Sequence, residues 1–307
     1  MSGEFLSLLV ALMWTFTAIF AEVASKRLGA LTLNVWRMII SILLLGLTLW
    51  FFCGSPLPQY VPAKAWCWLL GSGFMGFVFG DYCLFNSYVS IGSRFGQLFI
   101  TLASPFAAIT AWLLLGEHMT KLGMLGMLIT LLGIGISILG KDDNGHRRIK
   151  LPLRGVMLGI GAGLGQGIGL VFSKLGLQAY VAALPATADS IQMMAPFAGT
   201  MIRAFIGFIG FGAALLYTRQ LDTMPRMWHD RRGALAAMGA ILLGPFLGVS
   251  FSLLAVNLTH AGVAQTLMGL TPVFILWPSH LMFGTQITRK EVFGAIIAVI
   301  GASLFFL

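Results

Sequence analysis

Apolar runs follow one another along this chain with only short polar spacers between them. Each is roughly 20 residues long, enough for a helix to cross the hydrocarbon core of a bilayer. Ten such runs are predicted as spans, at roughly 4–24, 33–53, 64–84, 93–115, 121–139, 155–176, 196–217, 234–256, 261–283 and 289–307. The most polar stretch, KDDNGHRRIKLPLR at 141–154, divides the chain into residues 1–140 and 155–307. A second polar loop, 218–232, separates the seventh and eighth runs. The less polar segment 178–195 is expected to hold an interfacial helix.

The two parts repeat one another. Pro105 in SPFAAITAWLLLGEHMT has its partner in Pro272 of TPVFILWPSHLMFGTQIT. Gly116, Thr120, Gly126 and Gly133 recur as Gly284, Thr288, Gly294 and Gly301, each 168 residues on, and Arg37 recurs as Arg203 at nearly the same offset. Five spans per repeat is an odd number, so the second copy must enter the membrane from the opposite side. The expected fold is therefore an all-α integral membrane protein, ten transmembrane helices arranged as two inverted five-helix repeats. Secondary transporters have this organisation and bind solutes near the midplane, where the repeats meet. Arg37 and Arg203, each a turn or two inside the second span of its repeat, are expected near opposite membrane faces.

Composition narrows the class further. Hydrophobic residues make up 58% of the chain and charged residues 9%, which leaves little room for a soluble domain. Net charge is +9, but the Lys and Arg sit beside helix ends, where topology control and lipid headgroups account for them without nucleic acid. Most lie in the loops after odd-numbered spans, a bias that places those loops in the cytoplasm and both termini outside. Cys53, Cys67 and Cys83 read as buried apolar residues rather than a disulfide or metal set. The N-terminus lacks a basic region before its apolar run and reads as a first transmembrane helix, not a cleaved signal.

GEHMT after the fourth span, followed by KLGMLGMLITLLGIGISILG, resembles the signature of the drug/metabolite transporter superfamily, in its EamA-type ten-helix branch. In that branch each repeat ends with a Pro-containing helix, a Gly-Glu-x-x-Thr turn and a Gly-rich last helix. Pro105, Gly116, Glu117 and Thr120 match in the first half; Pro272, Gly284 and Thr288 match in the second, where Thr285 replaces the glutamate. WTFTAIFAEVASK near the start, Arg37 and Arg203 also fit. The resemblance implies a transporter of metabolites or drugs and a structural role for Glu117, with Thr120 capping the fifth helix. It also implies cytoplasmic termini, against the charge bias.

Asp81, in GFVFGDYCLFNSYVS, is the leading candidate for substrate binding or coupling. A carboxylate inside a span faces a cavity, a partner or a proton, and its repeat-equivalent is about Val249. Asn86 follows it by a turn and a half. Trp14 and Thr17 in span one and Gln166 in span six face each other if the first helices of the repeats line a central cavity. Gln97 and Thr101 of span four and Gln265 and Thr266 of span nine lie on the helices whose prolines free a backbone carbonyl. Glu22, Lys26 and Arg37 are expected as an ion-pair group near one face, with Arg203, Lys174 and Asp189 near the other, for gating or for anchoring. The glycine ladder GVMLGIGAGLGQGIGL in span six reads as close helix packing rather than a phosphate loop.

These features favour a secondary-active carrier, an exporter of small amino acid-like or amphipathic solutes through the bacterial cytoplasmic membrane, with protons as a candidate coupling ion. A membrane-embedded lipid enzyme would need a nucleophile and base or clustered metal ligands; no HExxH occurs and the histidines are scattered. A passive channel would need a filter-like loop, which is also missing. No cofactor or metal is expected, and partners reduce to the bilayer and a small molecule. The few charges favour an uncharged, zwitterionic or aromatic solute. A single inverted-repeat chain forms a pathway unaided, so a monomer or weak homodimer suffices.

Overall fold

The computed structural model describes residues 3–115, 121–141, 147–149, 151–185, 188–258, 267–284 and 286–304. The first half runs through α1 (Gly3–Leu28), α2 (Ala30–Cys53), α3 (Ala63–Gly73), a π-helix (Phe74–Asp81), α4 (Tyr82–Ile100), α5 (Ala103–Leu115) and α6 (Lys121–Ile138). An antiparallel pair of three-residue strands, β1 (Leu139–Lys141) and β2 (Arg147–Ile149), leads into the second half. That half runs through α7 (Leu153–Val181), α8 (Asp189–Tyr217), the single turn α9 (Arg226–His229), α10 (Arg231–Ile241), a second π-helix (Leu242–Phe246), α11 (Leu247–Leu258), α12 (Thr271–Phe274), α13 (Leu276–Phe283) and α14 (Arg289–Ser303).

Six helical stretches among the described residues are long and apolar enough to cross a membrane: Gly3–Leu28, Ala30–Cys53, Ala63–Ile100, Leu153–Val181, Asp189–Tyr217 and Arg231–Ser252. Shorter apolar helices cover Ala103–Leu114 and Lys121–Ser137. Fewer than the ten expected spans qualify because one stretch, Ala63–Ile100, runs through the third expected span into the fourth, while α5 and α14 are short and residues 259–266 lie outside those described. Gly92 (φ 81°, ψ 159°) kinks the Ala63–Ile100 stretch, and a turn at Thr101 and Leu102 separates α4 from α5. Among the described residues of segment 178–195 there is no separate interfacial helix; they are mainly the end of α7 and the start of α8.

The side-chain distribution is that of a protein solvated by lipid. Leu43, Leu47, Trp50 and Phe51 of α2 point outward, as do Leu125, Leu128 and Leu132 of α6. Inside, large side chains such as Phe99, Phe211 and Tyr180 are fully buried, and glycines at the helix crossings let backbones approach. The last helices of the two halves, α6 and α14, meet through Gly133 and Gly294, where an added methyl would collide with the facing backbone. The other contacts between halves also come in counterpart pairs. Helix α1 packs on α10 and α11, while α7 packs on α3 and the first π-helix; α2 lies along α8 between these two clusters.

Ion pairs tie the halves together at one end. Arg27 at the end of α1 grips Asp230 with Nε at 2.6 Å from Oδ2 and Nη2 at 2.9 Å from Oδ1. Asp230 in turn caps α10 by accepting the Gly233 N–H at 3.0 Å. Arg94 lies 3.1 Å from Glu291 on α14. Glu22, buried on α1, pairs with Lys26 at 2.5 Å and accepts the Ser93 N–H at 2.6 Å. That N–H heads the helical segment beyond the Gly92 break, so the carboxylate satisfies a donor the kink has freed.

Gly92 occupies a backbone region open almost only to glycine, so Gly92→Ala costs about 1–3 kcal/mol. Gly212 on α8 faces open space, and Gly212→Ala leaves stability unchanged or raises it by about 0.5–1 kcal/mol; unfolding in detergent checks both. The Arg27 guanidinium, then the Gly233 N–H, hold the Asp230 carboxyl below the usual carboxylate range. Its contribution is complete above the unfolded-state value near 3.9 and disappears as pH falls through the lower folded value. The melting-temperature gap between wild type and Asp230→Asn should therefore be present at neutral pH and close in strong acid.

Candidate functional site

A cavity of about 280 Å³ lies where the two halves meet, bounded by α1, α2, α4, α7 and α8 and by both π-helices. Asp81 ends the first π-helix and is 5% exposed. Arg37 Nη1, on α2, donates to Asp81 Oδ2 at 3.0 Å. Gln166 Nε2, on α7 of the second half, donates to Asp81 Oδ1 at 2.9 Å and to the Gly76 carbonyl at 3.1 Å. One carboxylate is therefore held by a cation from its own half and an amide from the other. Arg37 also donates to Asn34 Oδ1 at 2.6 Å, and its guanidinium lies over the Phe85 ring at 4.3 Å.

The wider turns of the two π-helices place these groups. They begin at Phe74 and Leu242, the same 168-residue step that separates the glycines of the repeats. In the second, Pro245 removes a helical donor; in the first, Gly76 and Gly80 leave room for the side chains of Arg203 and Gln166. Gln166 reaches Asp81 because Gly165 brings the α7 backbone onto Met75 and Gly80. The glycine ladder of α7 thus serves close packing at the site itself. Π-turns of this kind recur at functional sites because they re-aim side chains and free carbonyls.

Of the residues the sequence nominated, Trp14, Thr17, Asp81, Gln97, Thr101, Gln166, Arg37 and Arg203 line this one cavity. Thr17 Oγ1 is buried without a hydrogen-bond partner. Gln97 Nε2 donates to the Tyr88 hydroxyl at 2.6 Å, and Thr101 bonds back to the Leu98 carbonyl. Asn86 lies elsewhere: its amide donates to the Tyr82 carbonyl at 2.7 Å on an exposed face, because five residues from Asp81 is a turn and a half. Gln265 and Thr266 fall outside the described residues, as do Glu117 and Thr120; Thr288, the repeat-equivalent of Thr120, caps α14 by accepting the Glu291 N–H.

The expected ion-pair groups are rearranged. Glu22 does pair with Lys26, but Arg37 turns to Asp81 rather than joining them. Arg203 lies over the Phe77 ring at 4.6 Å in the cavity, while Lys174 and Asp189 are exposed. Helix starts explain the difference. Because α2 begins at Ala30 and α8 at Asp189, the two arginines stand about 10 and 21 Å into their helices. Arginine at such depth turns toward a counter-charge or an aromatic face.

Tyr88, Phe77, Phe85 and Asn34 also belong to the site, beyond the residues nominated from sequence. The signal was present as spacing. Phe77, Asp81, Phe85 and Tyr88 recur every three or four residues on one helical face, and Asn34 precedes Arg37 by three. The site contains no cluster of His, Cys, Asp or Glu able to hold a metal among the described residues.

The fold and this cavity define a multi-pass helical membrane protein with two related halves around a charged interior. The family model for EamA-like transporters matches residues 1–139 and again 153–307, and the chain belongs to that family. It is a membrane transporter of the drug/metabolite type. No curated protein matches the chain. One solved crystal structure is similar over 98% of this chain and 95% of its own, with a TM-score of 0.59 at 15% identity, a likeness of fold alone.

The approach of α7 to the first π-helix is tested by Gly165→Ala. Its methyl would meet the Met75 carbonyl at 2.6 Å and the Gly80 Cα at 2.7 Å, so the helices must separate. A loss of about 1–3 kcal/mol is expected from such overpacking, read as a lower detergent melting temperature.

Proposed function

We propose that this chain is a secondary-active exporter of small organic solutes, with ten spans in two inverted five-helix repeats, residues 1–140 and 155–307, working by alternating access in a bacterial cytoplasmic membrane. The observation that carries this reading is the Arg37–Asp81–Gln166 junction inside the cavity, because it bridges the two halves. A carboxylate and a guanidinium are expensive inside a membrane and persist there where they bind, couple or gate.

Asp81 is the proposed coupling group. The charged or titratable groups facing it are Arg37 from α2, Arg203 from α8 and Tyr88 from α4. With Asp81 ionised, Arg37 and Gln166 hold the halves in the conformation described. A proton on the carboxylate weakens the charge-assisted bond to Arg37 and the acceptor strength toward Gln166, so the halves can rock. The pairs Arg27–Asp230 and Arg94–Glu291 each join a first-half residue to a second-half residue at one end. They form the latch of that end and open in the alternate state. A proton or solute shifts the balance only by its differential affinity for the two states.

Reconstitution into liposomes tests the scheme. Wild type should accumulate substrate against its gradient when a pH gradient is imposed and should show trans-stimulated exchange. Asp81→Asn should lose gradient-driven accumulation by about tenfold or more, the order expected when a coupling interaction worth 1.4 kcal/mol or more is removed, yet retain exchange. Equal pH-driven accumulation by Asp81→Asn would refute the coupling role.

A further inference from the structure

The two buried arginines of the cavity are unequally served. Arg37 has Asp81 and Asn34 as hydrogen-bond acceptors. Arg203 is 8% exposed, lines the same cavity, and makes no hydrogen bond or ion pair among the described residues. Its Nε is buried without a partner, as is that of Arg37, but Arg203 also lacks the acceptors that Arg37 Nη1 has; its contacts are the Phe77 ring and the more distant field of Asp81. The asymmetry follows from sequence, since Val249 stands in the second half where the first has Asp81. A guanidinium carries five donors in a planar fork and does not lose its charge. Left in this position without an acceptor, it is poised for one brought by a ligand.

We propose that the transported solute is a small organic monoanion whose carboxylate, or a sulfonate of the same shape, docks on Arg203. This inference rests on the transport reading and narrows it. Two guanidinium groups against one carboxylate leave the cavity with a single unmatched positive charge, which one anionic group neutralises. A dianion would bring its second charge against Asp81, and a cation would meet Arg203 unaided. The two-oxygen anion fits the guanidinium fork in bidentate geometry. The remainder of the solute is mainly apolar, because Trp14, Phe77, Leu170 and Met268 line the surrounding wall, with Gln97, Thr101 and Ser173 as scattered hydrogen-bonding groups. An uncharged solute, admitted by the charge count of the sequence alone, leaves Arg203 unsatisfied.

The test uses purified full-length protein in detergent and a series of one shape with different charge: benzoate, benzamide, benzylamine and phthalate, with hexanoate as an aliphatic acid. Benzoate or hexanoate should raise the melting temperature saturably, and the other three should need at least about tenfold more ligand. Arg203→Gln should weaken the carboxylate response by more than about tenfold, and Arg203→Lys less, because an ammonium keeps the charge and loses the fork. If Arg203→Gln does not fold, the charge series on wild type decides alone. Benzamide or benzylamine matching benzoate, no carboxylate response up to about 10 mM, or unchanged carboxylate affinity in Arg203→Gln would each overturn the proposal. Flux assays in liposomes separate it from the transport reading. Carboxylate binding without flux would sink transport and leave the Arg203 subsite standing. Saturable flux of a neutral or cationic solute without carboxylate binding would do the reverse.

Discussion

Burying Arg37 against Asp81 is the constraint from which the interior of this molecule follows. Two charges removed from water depend on partners for their remaining donors and acceptors. Asn34, Gln166 and the Phe85 ring supply such partners from three helices, and Arg37 Nε is left buried without one. Each partner in turn fixes something else. Gln166 can reach Asp81 only because α7 carries glycine where it crosses the first π-helix. The π-helix ends on Asp81 and turns its carboxylate inward, while the Gly76 carbonyl takes the second hydrogen bond from Gln166. A chain with few charges has placed three of them within one cavity and used the rest mainly at helix ends.

Symmetry and its violation both matter here. The packing of α1 on α10 and α11 mirrors that of α7 on α3, and the π-helices occupy equivalent places. Arg37 and Arg203 both lie over phenylalanine rings. The acid, however, exists once. With Asp81 in one half and Val249 in the other, the two pseudo-equivalent arginines differ: one is neutralised and one faces the cavity unpaired. A duplicated scaffold has thereby acquired a direction in its charge, which a strictly symmetric pair could not supply.

Much of this was legible in the sequence. Apolar runs and recurring Pro and Gly revealed the two related halves, since hydrophobic length and backbone-breaking residues are local properties. Asp81, Gln97, Gln166, Trp14 and Thr17 stood out because polar or amphipathic groups at membrane depth need a reason to be there. Depth itself was harder to read. Apolar residues precede Arg203 on α8 for so long that its helix start, and hence its distance from the surface, depends on where a polar turn ends. The role of Tyr88 depended on a face shared with Asp81, a matter of phase rather than composition. Neither the π-helices nor the contact of Glu22 with the Ser93 N–H had a sequence signal, because each results from long-range packing around an irregular backbone.

The dependence of the interior on one buried pair is tested most directly by a double-mutant cycle on Arg37 and Asp81, with Arg37→Met, Asp81→Asn and the combined variant unfolded in the same detergent. Residues in direct contact couple by about 0.5–3 kcal/mol, and a buried pair should lie in the upper part of that range. Removing the second partner should restore much of what removing the first took away. Additive losses, with the double variant as unstable as the sum of the singles, would contradict it.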